Sequence, residues 1–420
     1  MPQHLSGAQV PMLLRPGMTV YAPGVGGESV LLSRTLAAAP ECAAGVRFIG
    51  VWLPGINRTD YAQVSPTARA TAFFLGPAVR RSFAAGRVDL KPLTYLDIDA
   101  YLRRARIDMV LLQLSPPDDA GRCSLGIAND FADAVVGAAV DRAATLVAHI
   151  NPRMPRTVGA TTVAYQRLDH VVEGDEPLLG ERPGEDPVFA CIGAHLARVV
   201  ENGATLEVGI GRVQQVLRSL AGHARLSLHT GAITPSVLEL VAGGALADRA
   251  GAITTGVAFG DEALYRFVDG NAAVRFAPVA ETHAIATLAR IESFVAVNSV
   301  VEVDLLGQAN AEMRDGRQIS GSGGITEFMR GARLSPGGRA VVALPATSDG
   351  GKRSRIVPLL DAGTTVSVPR GDMDVVITEH GMAELRHRDI DARAAALIAV
   401  AAPRFRHGLA AAWHDYRRRL

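Results

Sequence analysis

This chain carries almost no net charge: Lys plus Arg number 43 against 42 for Asp plus Glu. That balance leaves no field able to hold a nucleic-acid backbone or an anionic membrane surface, so neither is an expected partner and any anion must be bound by local groups. The Arg417-Arg418-Arg419 run near the C-terminus is short and reads as a solvated end. Cysteine is scarce too. Cys42, Cys123 and Cys191 are widely spaced, with no Cys-x-x-Cys and no His at ligand spacing, so neither a disulfide framework nor a metal site is expected. No uninterrupted apolar run approaches ~18 residues, and Met1 to Gly7 lack a basic segment followed by an apolar one. Membrane spanning and secretion are therefore not expected, and the reading is a cytoplasmic protein with reduced thiols. A solenoid-length repeat is also missing.

What is present is a globular composition, 48% hydrophobic and 20% charged over 420 residues, longer than one core usually supports. Short apolar runs at Met18 to Ala22, Val46 to Leu53, Met109 to Leu114 and Thr145 to Ile150 read as strands. Ser29 to Ala39 and Ala70 to Ala84 read as helices between them, which makes an open α/β domain around a mostly parallel sheet. Residues 173–187 are dense in acids, Pro and Gly and read as a linker. Beyond them the alternation restarts, with helix at Val188 to Asn202 and Val213 to Leu220 and strand at Thr205 to Val208 and Arg225 to Leu228. Two tandem α/β domains are expected, over residues 1–172 and 188–420.

The segment Ile319-Ser320-Gly321-Ser322-Gly323-Gly324-Ile325-Thr326-Glu327-Phe328-Met329-Arg330 is the most telling. Glycines without a Cβ let backbone N–H groups approach a ligand oxygen, to stabilise an oxyanion or cradle a phosphate, although most such loops are simply turns. Gly24-Val25-Gly26-Gly27-Glu28 lacks the Gly-x-Gly-x-x-Gly spacing and reads as a strand-to-helix turn, not a dinucleotide site. Ser115 has no Gly-x-Ser-x-Gly elbow around it and reads as a loop determinant.

Upstream of the glycine loop stand Phe294-Val295-Ala296-Val297-Asn298-Ser299 and Glu302-Val303-Asp304-Leu305-Leu306-Gly307-Gln308. Downstream are Ser335-Pro336-Gly337-Gly338, Ser354-Arg355-Ile356-Val357-Pro358 and Thr378-Glu379-His380-Gly381. The first half holds Gln113-Leu114-Ser115-Pro116-Pro117-Asp118, Gly121-Arg122-Cys123-Ser124-Leu125-Gly126 and Asn151-Pro152-Arg153-Met154-Pro155-Arg156-Thr157, and Gly203 to Gly211 heads the second. In this order the set resembles the acetyl-CoA hydrolase/transferase family, which includes 4-hydroxybutyrate and succinyl-CoA:acetate CoA-transferases. The resemblance implies two open α/β domains of the CoA-transferase type with the active site in the interdomain cleft, a coenzyme A thioester as substrate, no tightly bound cofactor, and a homodimer. It also implies ping-pong chemistry, in which a glutamate attacks the thioester and becomes a glutamyl-CoA that an incoming carboxylate unloads.

Carried onto this chain, the resemblance puts the amides of Gly323 and Gly324 at the developing oxyanion. Ser115, Asn151, Met154, Gly209, Gly211, Thr230, Asn298, Gln308, Gly321, Phe328 and Arg330 fall on the substrate. The nucleophile's slot, however, holds Gly231: the strand ends Leu228-His229-Thr230 and continues Gly231-Ala232-Ile233-Thr234-Pro235-Ser236, where the family has glutamate followed by Met-x-Ser-Asp-Gly. Arg212 also stands where the family has a small residue. Glycine has no carboxylate, so no glutamyl intermediate can form there. His229, with an ordinary imidazole pKa of about 6.5, is a candidate general base and Glu327 a candidate catalytic acid of the oxyanion segment, although a structural role is the favoured reading of each. Arg330, Arg353 and Arg355 suit a CoA phosphate or an acyl carboxylate as well as they suit ion pairs.

Three readings follow. In the first, an acyl group passes from CoA directly to water, an amine or a hydroxyl. In the second, an orthodox CoA-transferase draws its carboxylate from elsewhere, such as Glu327 or Glu28. In the third, the chain is an acyl-CoA-binding pseudoenzyme.

Overall fold

A computed structural model of the chain describes residues 1–159, 161–180 and 184–419, so residues 181–183 of the expected linker lie outside the described residues. Two compact units emerge. One comprises Met1–Arg182, Thr254–Glu281 and Ile319–Gly321; the other comprises Pro183–Ile253, Thr282–Gln318 and Ser322–Leu420. Two later segments of the chain thus belong to the first unit, an interleaving that a single boundary at residues 173–187 does not describe.

The first unit is built on an eight-stranded sheet in the order Gln3–His4, His170–Glu173, Thr145–Ile150, Met109–Leu114, Thr19–Tyr21, Arg47–Gly50, Arg69–Ala72, Val88–Leu90. Every neighbouring pair is parallel. Met109–Leu114 is buried along its whole length, as a strand covered on both faces requires. The strands expected near residues 18, 46, 109 and 145 are all in this sheet. The helix expected over Ala70 to Ala84 is not: Arg69–Ala72 is a strand and only Arg80–Ala84 is helical. Gly76-Pro77 breaks the helical reading, and the apolar run before it is taken up by parallel pairing with Arg47–Gly50.

Helix Val30–Ala37 starts at Ser29, whose Oγ accepts from the Leu32 amide at 3.0 Å. The same hydroxyl lies 2.9 Å from His149 Nδ1, while His149 Nε2 lies 2.9 Å from the Gly174 carbonyl. A carbonyl can only accept, so the hydrogen of His149 is on Nε2 and Ser29 donates to Nδ1. Burial lowers the pKa of this imidazole and keeps it neutral.

In the second unit the strands run in the order Gly381–Glu384, Val375–Thr378, Arg339–Ala343, Phe294–Asn298, Thr205–Val208, Ser227–Ile233. The pairs are parallel from Val375–Thr378 to Ser227–Ile233, and only Gly381–Glu384 runs antiparallel, as the sheet's last strand. Its core packs Phe294, Ala296, Phe328, Met329, Val342 and Val376 against the terminal helices through Leu397 and Leu409. Helix Ile325–Leu334 approaches Ile285–Leu288 closely: a Cβ on Gly331 would stand 2.4 Å from the Leu288 Cβ. The segment expected as a helix over Val213 to Leu220 is a 3-10 helix, Arg212–Leu220. The helix after the linker is shorter than expected, Pro187–Leu196. Among the described residues no helix is long and apolar enough to cross a membrane.

Candidate active site

Both sheets reverse their strand order once. In the second unit the reversal falls between Thr205–Val208 and Phe294–Asn298, and in open parallel sheets the carboxyl ends of strands at such a switch form a crevice suited to ligands. Gly209 and Asn298 sit at those ends. Gly209 donates to the Val297 carbonyl at 2.9 Å, and a Cβ on Gly209 would lie 2.5 Å from Asn298 Oδ1, so a side chain there would displace the Asn298 amide. Gly211 follows with φ +92°, a left-handed turn that leads into the 3-10 helix. Asn298 donates from Nδ2 to Glu207 at 2.7 Å. Burial pushes the Glu207 carboxyl up to about 8 despite that hydrogen bond, so it is mostly protonated at neutral pH. The sequence reading assigned nothing to Glu207.

The neighbouring strand Ser227–Ile233 carries His229, Thr230 and Gly231. The sequence put its end near Thr230; the chain instead stays extended through Ile233, because the run Leu228 to Ile233 is almost wholly buried. Gly231 is therefore a strand residue. A Cβ at Gly231 would stand 3.0 Å from His283 Cε1 and 3.2 Å from His283 Nε2. At Gly324 a Cβ would meet His283 Cδ2 and Nε2, both at 2.5 Å. One imidazole thus borders Gly231 and the glycine loop together.

His283 is 2% exposed, and its ring centroid lies 4.5 Å from that of Phe328, with Phe294 6.5 Å beyond. Its Nδ1 is 2.9 Å from Thr282 Oγ1, and the Thr282 carbonyl accepts from His229 Nε2 at 3.1 Å. Burial, aided by the nearby His229, lowers the His283 pKa to about 3. Sequence reasoning missed His283, which follows a four-residue helix, Val279–Thr282, and belongs to no motif.

The glycine loop turns at Gly323, φ +60°, into helix Ile325–Leu334 with Gly324 as its N-cap. Glu327 and Phe328 are buried in the helix's first turns. Arg330, expected on the substrate, makes a two-pronged ion pair with Asp372, Nε to Oδ1 at 2.7 Å and Nη2 to Oδ2 at 2.5 Å. Gln308 is held by Asp304, its Nε2 donating to Oδ2 at 2.9 Å. Arg355 donates to the Val300 and Val301 carbonyls, and Arg353 pairs with Asp315 and Asp349. Arg212 is 3.4 Å from Asp186. His229, Gly231, Phe328 and Gly324 are thus drawn around His283, Thr230 instead turns its hydroxyl to the Val208 and Ala232 carbonyls, and Gln308 and Arg330 are engaged by acids of their own.

The remaining expected residues lie in the first unit. Ser115 and Met154 line a cavity of about 710 Å³ with Arg153, Arg156, Tyr265 and Asp269. Ser115 Oγ accepts from the Ser124 amide at 2.9 Å and donates to the Pro116 carbonyl at 3.0 Å, which fixes the loop. Asn151 is fully buried. Its Nδ2 donates to Gln113 and to the Glu176 carbonyl, and its Oδ1 accepts from the Arg153 amide. Gly321 lies against Phe73, whose carbonyl oxygen would be 2.4 Å from a Cβ there. Glu28, weighed as a displaced nucleophile, is buried, with Asn57 and Tyr61 donating to it at 2.7 and 3.2 Å. Burial raises its pKa against those bonds. Among the described residues no group of three His, Cys, Asp or Glu side chains is placed to hold a metal ion.

Comparison with known proteins places this geometry. The acetyl-CoA hydrolase/transferase N-terminal domain matches residues 6–179 and the C-terminal domain of the same family matches residues 260–413. The chain is 35% identical over 405 residues to a 4-hydroxybutyrate coenzyme A transferase of Clostridium kluyveri, covering 93% of this chain and 92% of the relative. RipA of Yersinia pestis superposes with a TM-score of 0.89 at 25% identity, covering 99% of this chain and 98% of that one. A 4-hydroxybutyrate CoA-transferase of Porphyromonas gingivalis does so with a TM-score of 0.80 at 27% identity, covering 100% and 98%. With both domains matched and the fold shared nearly end to end, the chain belongs to the acetyl-CoA hydrolase/transferase family, and is an acyl-CoA-using enzyme of the transferase or thioester-hydrolase class.

Proposed function

We propose that this enzyme moves an acyl group from a CoA thioester directly to a non-carboxylate acceptor, water or a small molecule bearing an amine or hydroxyl, with no glutamyl-CoA intermediate. The observation that carries this reading is Gly231. It supplies no carboxylate, and the space a side chain would need is bordered by the His283 imidazole at 3.0 Å. In the proposed step the acceptor's lone pair adds to the thioester carbon as the carbonyl electrons move onto oxygen. Collapse then breaks the C–S bond, and CoA leaves as a thiolate that takes up the proton the acceptor has lost. The amides of Gly323 and Gly324 serve the tetrahedral oxyanion, and binding in one site supplies the proximity that replaces covalent capture. The reading keeps the homodimer that the family resemblance implies, which sedimentation tests directly.

A second reading, CoA transfer to a carboxylate through a displaced nucleophile, is favoured by the names of the relatives, which are CoA-transferases. One experiment separates the two. The enzyme is incubated with acetyl-CoA in the presence and absence of acetate and analysed by mass spectrometry, one portion intact and another after borohydride or hydroxylamine, which turn a glutamyl-CoA thioester into an alcohol or a hydroxamate and release its CoA. Consumption of thioester without an enzyme-bound CoA adduct supports direct transfer. A CoA adduct on any carboxylate installs the second reading instead, and binding without consumption leaves an acyl-CoA-binding protein.

A further inference from the structure

Gly231 and Gly324 face the same side chain. We propose that His283 is a catalytic residue of this site, a neutral imidazole whose Nε2–H donates a hydrogen bond to the thioester carbonyl oxygen beside the Gly323 and Gly324 amides. This rests on the direct-transfer reading above and assigns it a residue.

The geometry sets the distance. An oxygen placed where a Cβ of residue 231 would stand lies 3.2 Å from His283 Nε2, within hydrogen-bond range. The Gly324 face brings the same nitrogen within 2.5 Å of its own Cβ position, so the two bare glycines open onto one ring edge. A side chain at either position would shut that edge off. Gly231, Gly323 and Gly324 are half-buried while the His283 side chain is buried.

The hydrogen-bond chain behind the ring accommodates that tautomer. His229 Nε2 faces a carbonyl and must donate to it, which anchors the Thr282 backbone. Thr282 Oγ1 lies 2.9 Å from Nδ1, and in the proposed arrangement the hydroxyl donates there while the ring hydrogen sits on Nε2. Phe328 lines the apolar side, with Phe294 packed behind it. The burial that makes this imidazole a poor base suits it as a donor: it stays neutral, and an N–H in a dry site is aligned before negative charge develops on the oxygen.

The test uses the full-length enzyme, acetyl-CoA, and acetonyl-CoA, a ketone analogue that cannot be cleaved. His283→Leu should lower kcat by about 10²–10³-fold with little change in KM, and His283→Gln, which restores an N–H, should recover much of the loss. In infrared difference spectra the ketone band of bound acetonyl-CoA should lie at lower frequency in the wild type and the Gln variant than in the Leu variant. His283→Met replaces the Leu variant if that protein does not fold. A ketone band unmoved by losing the imidazole, or an unchanged kcat, overturns the role of His283 and leaves direct transfer standing. A trappable CoA adduct in the wild type overturns direct transfer whatever His283 does.

Discussion

Two buried groups of the second unit pull stability in opposite directions with pH. Glu207 has a folded pKa of about 8, above its ordinary value, so its contribution is complete at low pH and is lost as pH rises toward and through 8. His283 is held at about 3, below its ordinary value, so its contribution is complete above about 6.5 and is lost as pH falls toward 3. A tenfold change in a group's acidity on folding corresponds to roughly 1.4 kcal/mol. Glu207→Gln should therefore flatten the decline in stability between about pH 5 and 8, read from urea midpoints across that range. An unchanged slope would mean that Glu207 ionises freely in the folded protein. Neither group was legible beforehand. Glu207 looks like a polar residue alternating along a strand, and His283 follows a short helix without a motif; burial is what makes each unusual, and burial is set by the tertiary fold.

Among the elements, the long apolar strands were the easiest to read. Met109–Leu114, Thr145–Ile150 and Thr205–Val208 have the bounds that their β-branched and aliphatic runs announce. Arg69–Ala72 failed because an alanine-rich run has the local look of a helix, and only parallel pairing with Arg47–Gly50 decides otherwise. The glycine loop and its helix were recognised through motif order; the close helix contact behind them was not. Gly331 is the point of that contact, and Gly331→Ala tests it. Helix propensity alone would gain up to about 1 kcal/mol. A Cβ 2.4 Å from that of Leu288 forces the helices apart, an overpacking that costs about 1–3 kcal/mol, so net destabilisation is expected in thermal or urea unfolding. Stabilisation would show that the two helices separate freely.

For the whole molecule, family resemblance and α/β alternation were sufficient to give two domains, and composition was sufficient to leave charge out of the account. Hidden from both was the return of residues 254–281 and 319–321 to the first unit. Strand Val274–Phe276 pairs with Val158–Gly159, and a Cβ on Gly159 would run into the Phe276 carbonyl at 2.1 Å. A fragment ending at residue 182 lacks that strand. It should unfold without the cooperativity of the full chain in calorimetry; a sharp, independent transition would show that the later segments only decorate a finished unit.

The same interleaving sets a timetable for synthesis. The first unit cannot be completed until the ribosome has passed residue 321, and at ~5–20 residues per second the stretch from 182 to 321 takes on the order of ten seconds. For much of that time Val158–Gly159 waits for its partner strand Val274–Phe276, so the nascent chain carries an unpaired strand edge that the finished enzyme does not.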